Sequence, residues 1–393
     1  MHVDIPSHML GHPAVYIPEL FSTKVQNDLL ALLVRKGKIP CNSADLNFYK
    51  TVHEDIGEIQ PIGDDGACPH AMLVPNMNRT ACILPGRIDV AKHYAMTGGF
   101  NGLKENLQSL FSRIQTFGVY IFDLEADENH VVKELFSAAN FQQAAKSVCP
   151  KDKQYLDPFQ FNFIAQIPGQ TVPTHIDGVY FWGANRFVFP QWLLATMKMS
   201  GLFENEFIDQ VQVVGYLSDW NRDEVAADPS KFGQFVYWDG IQTKYMTPYP
   251  RSGNAIDGSK LVHSTTLYQP HKKVPYLSKD KKNELVFDKL TSRWDLVSEG
   301  TKIDSFATTD LRISIVYRAR CFRDEKQKDL HVALTESGES DLSLEAVLAK
   351  LSYNKPSENR LDLALWLLSK YVRYPYAENA IFPFNYCALF NAC

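Results

Sequence analysis

The chain of 393 residues lacks several things, and each absence removes a class of protein. No apolar run approaches the ~20 residues of a membrane-spanning helix. No tract of lysine and arginine stands out, and the formal charge is −5, so the basic face of a nucleic-acid binder is not expected. Charged residues reach 22% and hydrophobic ones 45%, a balance that argues against an intrinsically disordered chain. There is no internal repeat and no low-complexity segment. The seven cysteines (Cys41, Cys68, Cys82, Cys149, Cys321, Cys387 and Cys393) are odd in number, widely spaced and without a Cys-x-x-Cys pair. A disulfide framework and a zinc knuckle are therefore not expected, and free thiols in a reducing compartment are. The opening residues, Met1-His2-Val3-Asp4-Ile5-Pro6, carry neither a basic nor an apolar signal region. The expectation is a soluble, cytoplasmic protein of one large elaborated domain or two.

Residues 1–150 read as a mixed, partly helical region. Thr23-Lys24-Val25-Gln26 has a capping-box pattern, Val25, Leu29, Leu32 and Leu33 recur at helical spacing, and Gly37 supplies a stop. Further helices are expected over 103–117 and 130–146, with a short strand at 119–122. The texture changes near Asp157. From 159 to 167 apolar and polar residues largely alternate, with Gln160, Asn162 and Gln166 on one face. Period-2 segments follow at 210–217, 233–238 and 311–318, punctuated by Pro168-Gly169, Asp239-Gly240 and Asp257-Gly258. Many short strands with turn signals predict a sandwich or small barrel over 151–325. The polar, lysine-rich stretch 272–289 reads as a loop or lid within an insertion spanning about 270–308. Residues 326–393 return to helix, at 344–351 and 361–372.

His-x-Asp puts two side chains on one face of a strand, because alternate residues point the same way. The pattern occurs three times, at His2, His53 and His175. Only His175-Ile176-Asp177 follows a convincing strand and turn. His263 returns on a later strand after the Asp257-Gly258 turn, whereas His271 sits beside lysines and reads as a surface residue. Arg312-Ile313-Ser314 is the only Arg-x-Ser in the chain. Its two polar side chains share a face, and a guanidinium fork with a nearby hydroxyl suits a carboxylate. Two imidazoles and a carboxylate occupy one face of an octahedral Fe(II) and leave the other open.

With these residues in view, the stretch from about Gln160 to Arg320 resembles the Fe(II)/2-oxoglutarate-dependent dioxygenase superfamily, whose pattern is His-x-Asp, a distal His, then Arg-x-Ser. The resemblance covers under half the chain. It implies an α+β protein with a double-stranded β-helix (jelly-roll) core and flanking helices at both ends. It implies Fe(II) held by His175, Asp177 and His263, and 2-oxoglutarate held at its far carboxylate by Arg312 and Ser314, with O2 consumed. Gln160, Asn162 and Gln166 are candidates for polar contacts to the co-substrate, with ordinary solvent-facing strand residues as an equal alternative reading. The sequence departs from many relatives in one respect: 312 − 263 = 49 residues separate the distal His from the Arg. Arg318 and Arg320 share the face of Arg312 and are alternatives to it, or partners of a substrate carboxylate.

The expected function is oxidation of an unactivated C–H bond of a small, acidic or amino-acid-like metabolite, by hydroxylation, desaturation or cyclisation, with release of succinate and CO2. Tyr180, Trp182 and Arg318 are candidates to line the substrate pocket. Core packing is the plainer reading of most aromatics after the motif, and Tyr180 and Trp182 stand apart because a bulge at Gly178 would turn their face inward beside His175 and Asp177. A peptide or protein hydroxylase of the same superfamily is the nearest alternative. A jelly-roll metal-binding protein without oxygenase activity is the alternative from another class. The expected partner is a small molecule, with neither nucleic acid nor membrane.

Overall fold

In a computed structural model the described residues are 5–42, 60–64, 68, 73–75, 80–83, 112–186, 188–240, 242–278, 281–337, 342–352 and 359–373. Their centre is a ten-stranded antiparallel sheet. In spatial order it runs β1 (Ala14–Ile17), β11 (Gly253–Ile256), β8 (Gln210–Tyr216), β16 (Arg312–Phe322), β7 (Tyr155–Gln166), β6 (Thr116–Tyr120), β2 (Lys38–Asn42), β13 (Asn283–Asp288), β14 (Arg293–Ser298) and β15 (Thr301–Phe306). A second sheet of three strands runs β10 (Gln242–Met246), β9 (Phe235–Asp239) and β12 (His263–Thr265). A small third sheet runs β3 (Gln60–Pro61), β5 (Ala81–Ile83) and β4 (Val74–Pro75).

The large sheet has two unlike faces, as strand alternation requires. Ile313, Ile315, Tyr317 and Ala319 of β16, Phe163 and Ala165 of β7, and Val211 and Val213 of β8 point into one apolar core. Three helices cover that face: α1 (Thr23–Lys36), α2 (His130–Ser137) and α3 (Ala139–Lys146). The other face carries Gln160, Asn162, Gln166, Gln210, Gln212, Tyr216, Asn254, Arg312, Ser314 and Arg318, all polar and shielded from solvent. The second sheet lies over this face, where Ile256 of β11 packs with Phe235, Met246 and Leu261. A second large core joins α4 (Gln191–Ser200), α7 (Leu344–Leu351) and α8 (Arg360–Tyr371) to Ile176, Val179 and Phe181. Between α4 and α7 in the chain come α5 (Arg222–Ala227), ahead of β9, and α6 (Glu325–Ser337), after β16.

Several expectations change. The helix over 130–146 is two helices, broken at Ala138, whose extended backbone interrupts the α run. The N-cap of α1 is Ser22, whose Oγ accepts from the Val25 N–H, so Thr23 begins the helix proper. Gly37 ends it in the left-handed conformation. The helix over 103–117 lies largely outside the described residues, and Thr116 and Phe117 belong to β6. The insertion before Arg312 is no simple loop: β13, β14 and β15 form a meander that adds to the sheet edge at β2. That meander accounts for much of the 49-residue separation without disturbing the strand pairings of β16. The free-thiol expectation is corrected at four cysteines, which pair as Cys68–Cys82 and Cys149–Cys321. Spacing alone hid these pairs, because the second joins residues 172 positions apart. The Cys41 thiol donates to Gln115 Oε1 at 3.3 Å, and no helix among the described residues is long and apolar enough to cross a membrane.

Candidate metal and anion site

His175 and His263 face each other across a two-residue antiparallel bridge, each backbone N–H donating to the other's carbonyl at 2.9 Å. Ile176, between the two polar residues of the motif, is 3% exposed in the apolar core on the opposite side. Burial of that one side chain turns His175 and Asp177 together towards the sheet. Asp177 is fixed by its backbone N–H, which donates to the Gly258 carbonyl at 2.8 Å. Ligand atoms of His175, Asp177 and His263 all lie within 4.8 Å of one another.

The hydrogen bonds set the imidazole tautomers. His175 Nδ1 lies 2.7 Å from the Pro173 carbonyl, and His263 Nδ1 lies 2.8 Å from the Leu261 carbonyl. A carbonyl only accepts, so each Nδ1 carries a hydrogen and donates it, which leaves each Nε2 lone pair to face the cluster. Burial, reinforced by the neighbouring His175, pushes His263 down to about 4, so the ring is neutral near pH 7. For Asp177 burial alone would raise the pKa. The guanidinium of Arg318 together with His175 and His263 outweighs it and holds the carboxyl well below the usual carboxylate range. Arg318 Nη2 donates to Asp177 Oδ1 at 2.7 Å, while Asp177 Oδ2 is buried with no hydrogen-bond partner. Two free Nε2 atoms, an ionised carboxylate and an orphaned carboxylate oxygen fit a divalent cation held on one face.

Arg312 begins β16 opposite Gln166 of β7. Its Nε donates to the Gly233 carbonyl at 3.1 Å and its Nη1 to Gln166 Oε1 at 2.7 Å. Its guanidinium lies 5.3 Å from the Tyr216 ring centroid. Gly233 has φ +67, and a Cβ there would stand 2.9 Å from Arg312 Cδ and Nε, so glycine is required twice over. The guanidinium is 4% exposed by residue, yet among the described residues no acid pairs with it. Gln166 Nε2, beside it, is also buried without a partner. Ser314 follows on the same face, 2% exposed. Strand β9 links this point to the histidines, since Gly233 precedes it and the Phe235 ring lies 5.5 Å from that of His263.

The remaining candidates separate. Gln160 and Asn162 are buried and bonded to each other at 3.0 Å, which corrects the solvent-facing reading. Gln160 Oε1 accepts from Arg318 at 3.3 Å, so this pair sits with Arg318, and Gln166 is the amide that touches Arg312. Gln212 Oε1 also accepts from Arg318, at 2.7 Å. Tyr180 and Trp182 pack in a separate cluster with Phe159, Ile208 and Phe322, which is the core-packing reading of both. Arg320 is paired with Asp157. His271 is exposed, and His2 and His53 lie outside the described residues. Sequence reasoning missed the carbonyls of Pro173 and Leu261, the contact of Gly258 with Asp177, and the Arg318–Asp177 bond. Only the first pair leaves a local trace: each carbonyl lies two residues before the histidine it holds.

No family model matches the chain, and no curated protein matches it. Solved structures that resemble it include a prolyl hydroxylase from Trichoplax adhaerens in complex with a hypoxia-inducible-factor peptide fragment, at 8% identity and TM-score 0.35, over 81% of this chain and 86% of that one. A prolyl-4-hydroxylase from Pseudomonas putida matches at 10% identity and TM-score 0.33, over 79% and 93%. HygX from Streptomyces hygroscopicus, solved with nickel and 2-oxoglutarate, matches at 8% identity and TM-score 0.32, over 78% and 82%. These likenesses are distant, and the chemistry of the site rests on its own geometry.

Proposed function

We propose that this chain is an Fe(II)/2-oxoglutarate-dependent oxygenase with a double-stranded β-helix core, acting on a small acidic or amino-acid-like molecule. The observation that carries the reading is the coupling of two features on one buried polar face. One is a triad with two free Nε2 lone pairs. The other is a guanidinium, Arg312, that pairs with no acid among the described residues. Buried charges are normally paired, and a dicarboxylate reaching from the triad to Arg312 would supply the missing anion.

When bound there, iron with 2-oxoglutarate and O2 supplies the oxidising chemistry, with succinate and CO2 as by-products. The chain's residues do the rest. His175 and His263 present Nε2 because their Nδ1 hydrogens are held by backbone carbonyls. Asp177 stays ionised beside Arg318. Arg312, with Gln166 and Ser314, receives the far carboxylate through charge-assisted bonds. Burial of His175, Asp177 and His263, each at most 8% exposed, keeps bulk water from the reacting centre. Arg318, about a quarter exposed at its side chain, is the cation placed to meet an acidic group on the substrate.

Anaerobic titration of the purified protein with Fe(II) and 2-oxoglutarate is the test. A metal-to-ligand charge-transfer band is expected in the wild type and is absent in His175→Ala. A wild type with no band and no 2-oxoglutarate turnover sinks the proposal.

A further inference from the structure

We infer that Gly258 is a positioning residue for the metal-binding carboxylate: the Asp257-Gly258-Ser259 turn is a backbone stop against which Asp177 is set. The inference rests on the metal-binding reading of the triad and concerns a residue outside it. The turn follows β11 and is itself held rigidly. Asp257 is 2% exposed. Its Oδ1 accepts from the Ser259 N–H at 3.1 Å and the Ser259 hydroxyl at 2.5 Å, and its Oδ2 accepts from the Gln210 N–H at 3.0 Å. The turn is thereby fastened to the start of β8, an interior strand of the large sheet.

Gly258 then meets Asp177 twice. Its carbonyl accepts from the Asp177 N–H at 2.8 Å. Its Cα faces the carboxylate so closely that a Cβ would stand 2.0 Å from Oδ2, 2.7 Å from Cγ and 3.1 Å from Cβ of Asp177. The backbone of Gly258 is not in the left-handed region. Space, and not backbone conformation, therefore demands glycine here. On its other side the carboxylate is bonded to Arg318 at 2.7 Å. A methyl group at position 258 would have to push the carboxylate off both the Arg318 bond and its place beside the two Nε2 atoms.

The experiment compares wild type, Gly258→Ala, Asp177→Ala and the double variant. Metal affinity is measured anaerobically by titration with Fe(II), and with Co(II) followed by absorbance; stability is measured as Tm without metal. Gly258→Ala is expected to weaken both metals by at least about tenfold, the range seen when a group that orients a metal ligand is lost. It is also expected to lower Tm by about 3 °C or more through overpacking. In the Asp177→Ala background most of that Tm loss should vanish, because the two closest clashing atoms are gone. A purely structural glycine would show the same Tm loss in both backgrounds, and that result overturns the inference. Wild-type metal affinity in Gly258→Ala overturns it too. If Gly258→Ala does not fold, recovery of a folded double variant supports the inference and its failure to fold overturns it. A wild type that binds neither metal overturns the reading of the triad itself, which keeps the two failures apart.

Discussion

Arg312 and the pair Arg318 and Arg320 project from the same face of one strand into opposite electrostatic surroundings. Arg320 holds Asp157 through two nitrogens, at 2.8 and 2.6 Å, and Arg318 holds Asp177 at 2.7 Å. Arg312 is the most deeply buried of the three and is offered a carbonyl, an amide oxygen and an aromatic face, with no carboxylate among the described residues. A guanidinium stays charged under all ordinary conditions, and leaving it unpaired in a low-dielectric setting is costly. The two ends of β16 thus differ in where the first anion comes from: within the chain at Arg318 and Arg320, and from a ligand at Arg312.

The largest effect that tests this contrast is on co-substrate binding. Arg312→Met should weaken 2-oxoglutarate by roughly 2–4 kcal/mol, about 30- to 1000-fold, the scale of losing charge-assisted hydrogen bonds at a buried site. Metal binding at the triad should survive, since no triad atom bonds Arg312. Calorimetric titration of the metal-loaded protein measures the first, and Co(II) absorbance the second. The rise in Tm that 2-oxoglutarate gives the wild type should disappear with it. Wild-type affinity in Arg312→Met would mean that the anion is bound elsewhere.

The other end should respond in stability. Arg320→Met strands Asp157 in a mostly shielded position, and breaking a buried pair from one side costs a few kcal/mol. Some solvent reaches both partners, at 16% and 17% side-chain exposure, so a loss of about 2 kcal/mol is expected from urea denaturation. Arg312→Met should cost clearly less in the same assay, because it removes an unpaired charge. Equal losses in the two variants would erase the distinction between the ends.

How far this site was legible depends on the range of the forces involved. His175 and Asp177 are brought together by strand alternation, a local rule, and the pattern at Arg312 and Ser314 obeys the same rule. The parity of Gln160, Asn162 and Gln166 was visible for that reason, although their burial was not, since it depends on the second sheet lying over them. His263 could be paired with His175 from the turn that returns its strand. The partner of Arg318, the close approach of Gly258 and the Cys149–Cys321 pair depend on where distant segments meet. No local period encodes those meetings. The β13–β15 meander was misread for a related reason: Lys272, Lys273, Lys281 and Lys282 precede β13 and Lys289 follows it in the turn to β14, so the lysine-rich composition of these connections suggested a loop and hid the short strands beyond them.

The smallest expected effect lies next to Arg320. His331, on α6, is 1% exposed, and its Nε2 lies 3.1 Å from Arg320 Nη1. A guanidinium nitrogen only donates, so Nε2 accepts and the ring is neutral. Burial, and then repulsion from Arg320, push its pKa down to about 4. The unfolded chain takes up this proton near 6.5. Between those values the unfolded state binds more protons than the folded one, so stability is full above about pH 6.5 and declines as pH falls towards 4. Between pH 7 and about 5.5 the decline from this group alone should be on the order of 1 kcal/mol. His331→Gln keeps an acceptor for Arg320 and removes the titration. Its urea midpoint should therefore fall less steeply with acid than that of the wild type. Parallel pH profiles would show that His331 is charged in the folded protein, and Arg320 would then face a cation in place of the neutral acceptor that helps complete its end of the strand.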